Sequence, residues 1–133
     1  MDGVLVTTMR SGGTELLAGV TVDPAFGPVL AVGLGGVWVE VLADTALRLL
    51  PADQAGVKQL LGELRGAPLL HGVRGTPPAD LDALAGVITA IADAALSLGS
   101  ALRTLEVNPL RVAGTQIEAL DVLVVTGPAR DPQ

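Results

Sequence analysis

Three oxygen-bearing side chains near the end of the chain are the residues best suited to chemistry. Glu106 and Asn108 stand two positions apart in a predicted strand, so their side chains point to the same face, about 6.6–7 Å apart along the strand. If Gly114-Thr115 forms a two-residue hairpin loop, Asn108 lies directly opposite Asp121. The spacing therefore predicts that Glu106, Asn108 and Asp121 converge on one face of a sheet.

Such a cluster needs a positive partner. Two carboxylates about 6 Å apart repel by roughly 3 kcal/mol at an effective dielectric of about 20, so they would bind a proton, a cation or a basic side chain. Oxygen ligands without His or Cys suit Mg²⁺, which usually takes one or two carboxylates together with substrate phosphates. The rest of the predicted face is apolar and consists of Leu110, Val112, Ile117, Ala119, Leu123 and Val125.

A simpler interpretation of the same residues stays open at this point. Asn108-Pro109 is also typical of an ordinary turn, and the two acids would then lie at a solvated rim of the sheet. A β-bulge in this region would turn Asp121 to the opposite face and separate it from Asn108.

Composition and charge exclude several classes of protein. The chain has 133 residues and a formal charge of −6, with Lys58 as the single lysine, so it lacks the basic surface that nucleic acids require. It has no cysteine, which excludes disulfides and thiolate metal sites. It also has no basic leader and no apolar run of membrane-spanning length, so we expect a cytoplasmic protein that binds neither nucleic acid nor membrane.

The elements that must position the cluster divide into strands, helices and strands again. The middle predicts a short turn capped by Asp44 and running through Leu50, a helix from Asp53 to Gly66, and a longer helix from about Pro78–Asp80 to Gly99. An α+β fold follows, in which a largely antiparallel sheet packs against helices. The predicted strands are Val4–Met9, Glu15–Val22, Pro28–Val32, Val37–Leu42, Leu102–Val107 and Ile117–Val125.

Several short segments, in order, resemble one protein family. The sequence Leu105-Glu106-Val107-Asn108-Pro109-Leu110, followed by Ala119-Leu120-Asp121, is similar to the magnesium-binding end of ATP-grasp domains. The closer resemblance is to NDP-forming acyl-CoA synthetases, relatives of the succinyl-CoA synthetase beta subunit, and it runs from about Val4 to Val125. The other matching segments are Glu15–Val20, Asp23–Pro28, Gly33–Leu42 and Leu69–Gly75.

This resemblance implies roles for individual residues. Asn108 and Asp121 would coordinate Mg²⁺ bound to ATP or GTP, and Glu106 would be catalytic, either helping with the metal or facing a phosphohistidine. Thr8, Met9 and Arg10 would belong to the hinge strand that meets adenine, and Glu15 would bind ribose hydroxyls. Gly35 and Gly36 would let a phosphate or the phosphohistidine loop approach bare backbone.

The resemblance also implies what the sequence lacks. Residues 1–126 would form the second ATP-grasp subdomain, with 127–133 as a flexible tail. The first half of the clamp, the CoA-binding domain and the phosphohistidine domain would lie elsewhere in the parent protein or on a partner subunit. The expected function is the nucleotide- and Mg-binding half of an acid–CoA ligase (NDP-forming) that is inactive as an isolated fragment. The alternative is a non-catalytic regulatory or assembly module, for example one fused to an acetyltransferase.

Overall fold

An antiparallel sheet covered on one side by two helices makes up the fold. The computed structural model describes residues 13–34, 44–72 and 77–128. Predictions that concern residues 1–12, 35–43, 73–76 and 129–133 lie outside the described residues; among them are the first strand and the strand Val37–Leu42. The elements, in order, are β1 Thr14–Asp23, β2 Gly27–Leu34, β3 Thr45–Leu49, α1 Gln54–Gly62, α2 Leu81–Leu96, β4 Leu102–Ala113, β5 Gln116–Ala119 and β6 Val122–Thr126.

The sheet order explains how distant parts of the chain meet. It runs β3-β2-β1-β4, and both β5 and β6 pair with the remaining side of β4, one after the other along its length. Every pairing is antiparallel. The predicted α+β class with a largely antiparallel sheet is therefore confirmed.

The core lies between one face of the sheet and the apolar stripes of the helices. On this face the side chains alternate along each strand, as in Leu16, Ala18 and Val20 of β1, which are all fully buried. Both helices add residues at spacings of three and four, so each buries one stripe. These helix residues are Val57, Leu60 and Leu61 in α1 and Leu84, Ile88, Ala92 and Ala95 in α2.

Both helices begin at aspartates, as the sequence predicts. The Asp53 carboxylate accepts a hydrogen bond from Gly56 N at 2.8 Å, and the Asp80 carboxylate accepts one from Ala83 N at 3.0 Å. Their ends differ from the prediction, because α1 stops at Gly62 and α2 at Leu96. The sequence thus predicts the first residues of the two helices more accurately than their last residues.

The predicted turn capped by Asp44 is wrong, because Thr45–Leu49 forms strand β3 at the edge of the sheet. Asp44 is buried, and its carboxylate accepts hydrogen bonds from Arg65 N and Gly66 N, each at 2.7 Å. The side chain therefore satisfies backbone donors after α1, 21 and 22 residues away, rather than the residues that follow it.

We expect Ile88→Val to lower the free energy of unfolding by about 1 kcal/mol, because it removes one methylene from a fully buried position of α2. Ile91→Val is the matched control, since Ile91 lies on the same helix but is only partly buried. Urea unfolding of both variants measures the difference. Equal losses would contradict the assignment of Ile88 to the centre of the core.

No helix within the described ranges is both long and apolar enough to cross a membrane.

Candidate functional site

The hairpin formed by β4 and β5 fixes the register of the candidate site. Its loop is the two-residue Gly114-Thr115, and Gly114 has a φ of +63°, which glycine adopts without strain. Ala113 pairs with Gln116, and the same numbering of pairs continues past β5 to Val107 and Val122. The predicted hairpin and its register are therefore confirmed.

Asn108 and Asp121 meet at the point where β5 gives way to β6. Asn108 N donates a hydrogen bond to Asp121 O at 3.0 Å, and Leu120 N donates one to Pro109 O at 3.0 Å. These two bonds continue the register across the gap between the two ladders. Asn108 thus lies opposite Asp121, as the spacing predicts.

The side chain of Asn108 also contacts Glu106. Its amide nitrogen Nδ2 donates to Glu106 Oε1 at 3.4 Å, which leaves the amide oxygen directed elsewhere. Asn108 and Asp121 are exposed, and Glu106 is partly buried. The side chains of Glu106 and Asn108 are therefore in direct contact, and the backbone register places Asp121 opposite Asn108.

The apolar residues predicted on the same face as these side chains are partly misplaced. Leu110 and Val112 are buried in the core, together with Val107. The cause is a register shift against β1, which pairs Leu16 with Leu110 but Ala18 with Val107, so β4 carries one extra residue at Asn108-Pro109. An extra residue reverses the alternation of faces along β4.

This bulge does not separate Asn108 from Asp121. This shift lies on the β1 side of β4, whereas the pairs with β5 and β6 keep one register from Ala113 opposite Gln116 to Thr104 opposite Val125. It therefore places Leu110 against the core without breaking the facing pair, and the expectation that a bulge would turn Asp121 away does not apply here.

The floor beside Glu106 is bare backbone. Gly19 of β1 pairs with Glu106, and an added Cβ on Gly19 would lie 3.4 Å from Glu106 Cβ and 3.2 Å from Leu105 O. Ala31 of β2 follows in the same row, and Leu47 of β3 ends it with 64% of its surface exposed. Next to the carboxylate, the face of the sheet opposite the helices is thus formed by small and apolar residues, of which Gly19 is buried and Ala31 is partly buried.

Glu15 lies on β1 and is exposed. It pairs across the sheet with Arg111, three residues beyond Asn108 on β4. Arg111 is buried, and its Nη1 lies 3.7 Å from Glu118 Oε1 on β5. Arg111 and Glu118 are not among the site residues predicted from the sequence, although the hairpin register that places Asn108 opposite Asp121 also places this pair face to face.

The remaining predicted site residues are Thr8, Met9, Arg10, Gly35 and Gly36, which all lie outside the described residues. In the part of the chain that the structure does describe, no three side chains of His, Cys, Asp and Glu gather closely enough to hold a metal ion. The candidate site therefore offers at most two carboxylates and an amide oxygen, so an ion there needs further oxygen ligands from a substrate or from water.

Comparison with known proteins gives a family match over nearly the whole chain. A family model described as an ATP-grasp domain matches residues 1–126. Among curated proteins, acetate–CoA ligase (ADP-forming) I of Archaeoglobus fulgidus is 35% identical over 127 residues, 96% of this chain and 18% of the ligase. The beta subunit of acetate–CoA ligase (ADP-forming) I of Pyrococcus furiosus is 32% identical over 92% of this chain and 53% of the subunit.

Solved structures share the fold. The dinucleotide-forming acetyl-coenzyme A synthetase 1 of Candidatus Korarchaeum cryptofilum, in complex with coenzyme A and Mg-AMPPCP, superposes with a TM-score of 0.80 at 28% identity. The alignment covers 89% of this chain and 55% of that one. The chain thus spans about half of the solved chain and of the beta subunit, and less than a fifth of the single-chain ligase.

Proposed function

The chain belongs to the ATP-grasp domain family, and from that membership we propose that it is the magnesium- and nucleotide-binding second subdomain of an acid–CoA ligase that forms ADP or GDP. The ligase would convert a carboxylic acid, CoA and ATP or GTP into acyl-CoA, nucleoside diphosphate and phosphate in the cytoplasm. The lengths and names of the curated relatives support this assignment.

One observation of the structure carries the proposal. Asn108 and Asp121 lie opposite one another across two strands, and Asn108 contacts Glu106 through its amide nitrogen. Two carboxylates and an amide at an open face of the sheet form a site that is incomplete without a cation. Within the described ranges, no group of three or more His, Cys, Asp or Glu side chains offers a metal site elsewhere.

The donor set fits Mg²⁺. Carboxylate and amide oxygens are hard ligands, and a small number of them suits an ion that keeps oxygens from nucleotide phosphates. Asn108 and Asp121 would hold the ion, because both are exposed and because the Asn108 amide oxygen is not used in the bond to Glu106. When bound, Mg²⁺ would supply neutralisation of phosphate charge during phosphoryl transfer.

Glu106 would have a different role from the two metal ligands. It is partly buried beside the bare backbone of Gly19, and its Oε1 already accepts from Asn108. A carboxylate held in this way would fix the orientation of the Asn108 amide and would face a phosphohistidine that approaches over the open side of the sheet. Glu106 would thus lie between the metal position and the histidine that carries the phosphoryl group.

The nucleotide would extend from this site along the sheet. Glu15, exposed on β1, would accept hydrogen bonds from the ribose hydroxyls. We assign the adenine contacts to the backbone of Thr8, Met9 and Arg10 and the approach to phosphate to Gly35 and Gly36. The first half of the clamp, the CoA-binding domain and the phosphohistidine domain would come from other segments of the parent protein or from a partner subunit.

Paramagnetic broadening by Mn²⁺ in the presence of ATP tests the metal site directly. In the ¹⁵N-labelled chain we expect substoichiometric Mn²⁺ to broaden the amide signals of Glu106, Asn108 and Asp121 first. The reason is that the ion would be bound at, or next to, the side chains of these residues. Glu63 and Asp93, which are exposed acids on the helical side, are the controls.

Asp121→Asn should reduce the broadening at Glu106 and Asn108 while leaving the spectrum of the helices unchanged. Broadening that is equal at all exposed acids, or strongest on the helices, would contradict a metal site at the hairpin. It would favour a module that keeps the fold without the metal function.

A further inference from the structure

Strand β6 is the most exposed apolar element of the described chain. Four consecutive residues, Val122 to Val125, have between 43% and 54% of their surface exposed. Their side chains alternate between the two faces of the sheet, so β6 is uncovered on both faces. β6 pairs with β4, and no other element within the described ranges pairs with its outer edge.

The helix layer does not reach this strand. Val122 pairs with Val107 and Val124 with Leu105, two buried residues of the face that the helices cover. Val122 and Val124 nevertheless remain 53% and 48% exposed. An apolar partner on one face would therefore leave the side chains of the other face exposed. Another strand added at the edge would flank the side chains of both faces and would also satisfy the backbone N–H and C=O groups of that edge.

We propose that β6 pairs with β6 of a second copy of this chain, antiparallel and about a two-fold axis at Val124. In this arrangement Leu123 lies opposite Val125 and Val122 opposite Thr126 of the second copy. A two-fold interface brings the same patch of both copies together. Because residues 122–126 carry no charge, the pairing brings no like charges face to face in a chain whose net charge is −6.

The groups at the two ends of β6 complement each other in this register. The pairing places Asp121 opposite Gly127 of the second copy. The Arg103 guanidinium lies against Gly127, where an added Cβ would meet its Nε at 2.8 Å, and its Nη2 donates to Pro128 O at 2.7 Å. Facing residues of antiparallel strands direct their Cβ atoms to one side of the sheet.

The Asp121 carboxylate of each copy would therefore point towards the Arg103 guanidinium of the other. This makes two symmetry-related ion pairs, one at each end of the neutral strand. It is this charge complementarity that favours a second copy of the chain over an unrelated strand. Asp121 is also the proposed magnesium ligand, so the ion pair with Arg103 and the metal contact would exclude one another at this carboxylate. The experiments on the dimer are therefore carried out without Mg²⁺ and nucleotide.

Disulfide cross-linking tests the register, since the natural chain contains no cysteine. Val124→Cys lies opposite itself across the two-fold axis, within the Cα separation that a disulfide allows. We expect mild oxidation to convert most of this variant into a covalent dimer. In Val122→Cys, the matched control, the two cysteines lie about 13 Å apart along the strands, so no such dimer should form.

Sedimentation velocity over a concentration series tests the association itself. The natural chain should move from monomer to dimer as its concentration rises. The double variant Leu123→Lys with Val125→Lys should stay monomeric, because it brings four lysines together at the axis. Phe26→Lys is the control, since Phe26 is 69% exposed in the loop between β1 and β2, away from β6.

Circular dichroism must show that each variant keeps the native secondary structure. Asp121→Arg, which reverses the charge that faces Arg103 of the second copy, should weaken the dimer in the absence of Mg²⁺ without affecting the fold. Three results would overturn the proposal. They are a natural chain that stays monomeric at every concentration, equal cross-linking of the cysteine variants at positions 122 and 124, and loss of the dimer in Phe26→Lys.

Discussion

Asp121→Asn is expected to lower the rate of acyl-CoA formation at least about tenfold in the ligase that this domain would serve. The substitution keeps the size of the side chain and removes one negative charge from the proposed magnesium site. Losing a single group that stabilises charge during the reaction commonly has an effect of this order or greater. Asp121 is exposed, and the hydrogen bond that it accepts from Asn108 N uses its backbone oxygen, so the fold should not change.

Steady-state kinetics with varied Mg²⁺ and nucleotide provide the measurement. A metal ligand should show a raised requirement for Mg²⁺ as well as a lower kcat. Asp93→Asn is the matched control, because Asp93 is an exposed aspartate on the helical side of the domain. If Asp121→Asn and Asp93→Asn behaved alike, Asp121 would have no place in the metal shell.

Asp44→Asn should lower the free energy of unfolding by about 3 kcal/mol. The Asp44 carboxylate is buried and accepts from two backbone donors, Arg65 N and Gly66 N, each at 2.7 Å. An asparagine can offer an oxygen to only one of them and brings an NH₂ group against the other. A buried donor left without an acceptor costs about 1–3 kcal/mol, and the lost charge weakens the remaining bond.

Asp53→Asn is the matched control for Asp44→Asn. Asp53 also accepts a backbone hydrogen bond, from Gly56 N at 2.8 Å, but it is an exposed helix cap, where asparagine serves as well as aspartate. Urea unfolding should therefore show little change for Asp53→Asn. A similar small change for Asp44→Asn would mean that the turn after α1 relaxes and finds other acceptors.

The two aspartates also show how far sequence reasoning extends. Asp53 was recognisable as a cap because its partner lies three residues ahead in the same helix. The partners of Asp44 lie more than 20 residues away, and no local pattern indicates that β3 and the turn after α1 meet there. The sequence alone therefore predicts a turn after Asp44, where the structure has strand β3.

In the candidate site, too, contacts local in sequence were predictable and distant contacts were not. The loop Gly114-Thr115 determines the register of the hairpin, and counting back from it correctly predicts that Asn108 lies opposite Asp121. The bulge at Asn108-Pro109 was not predictable from alternation, because it arises from the pairing of β4 with β1. Consequently the facing pair was predicted correctly, whereas Leu110 and Val112 were assigned to the wrong side of the sheet.

The position of β1 in the middle of the sheet has a consequence for how the chain folds. The strands β1 and β2 form a hairpin early in the chain, but β1 completes its pairing only with β4, and Thr21 and Thr104, which are hydrogen-bonded, are 83 residues apart. Contacts of such long sequence separation slow folding, since the intervening chain must first be brought together. During synthesis the apolar face of β1 and β2 would therefore remain exposed to solvent until α2 and β4 had left the ribosome.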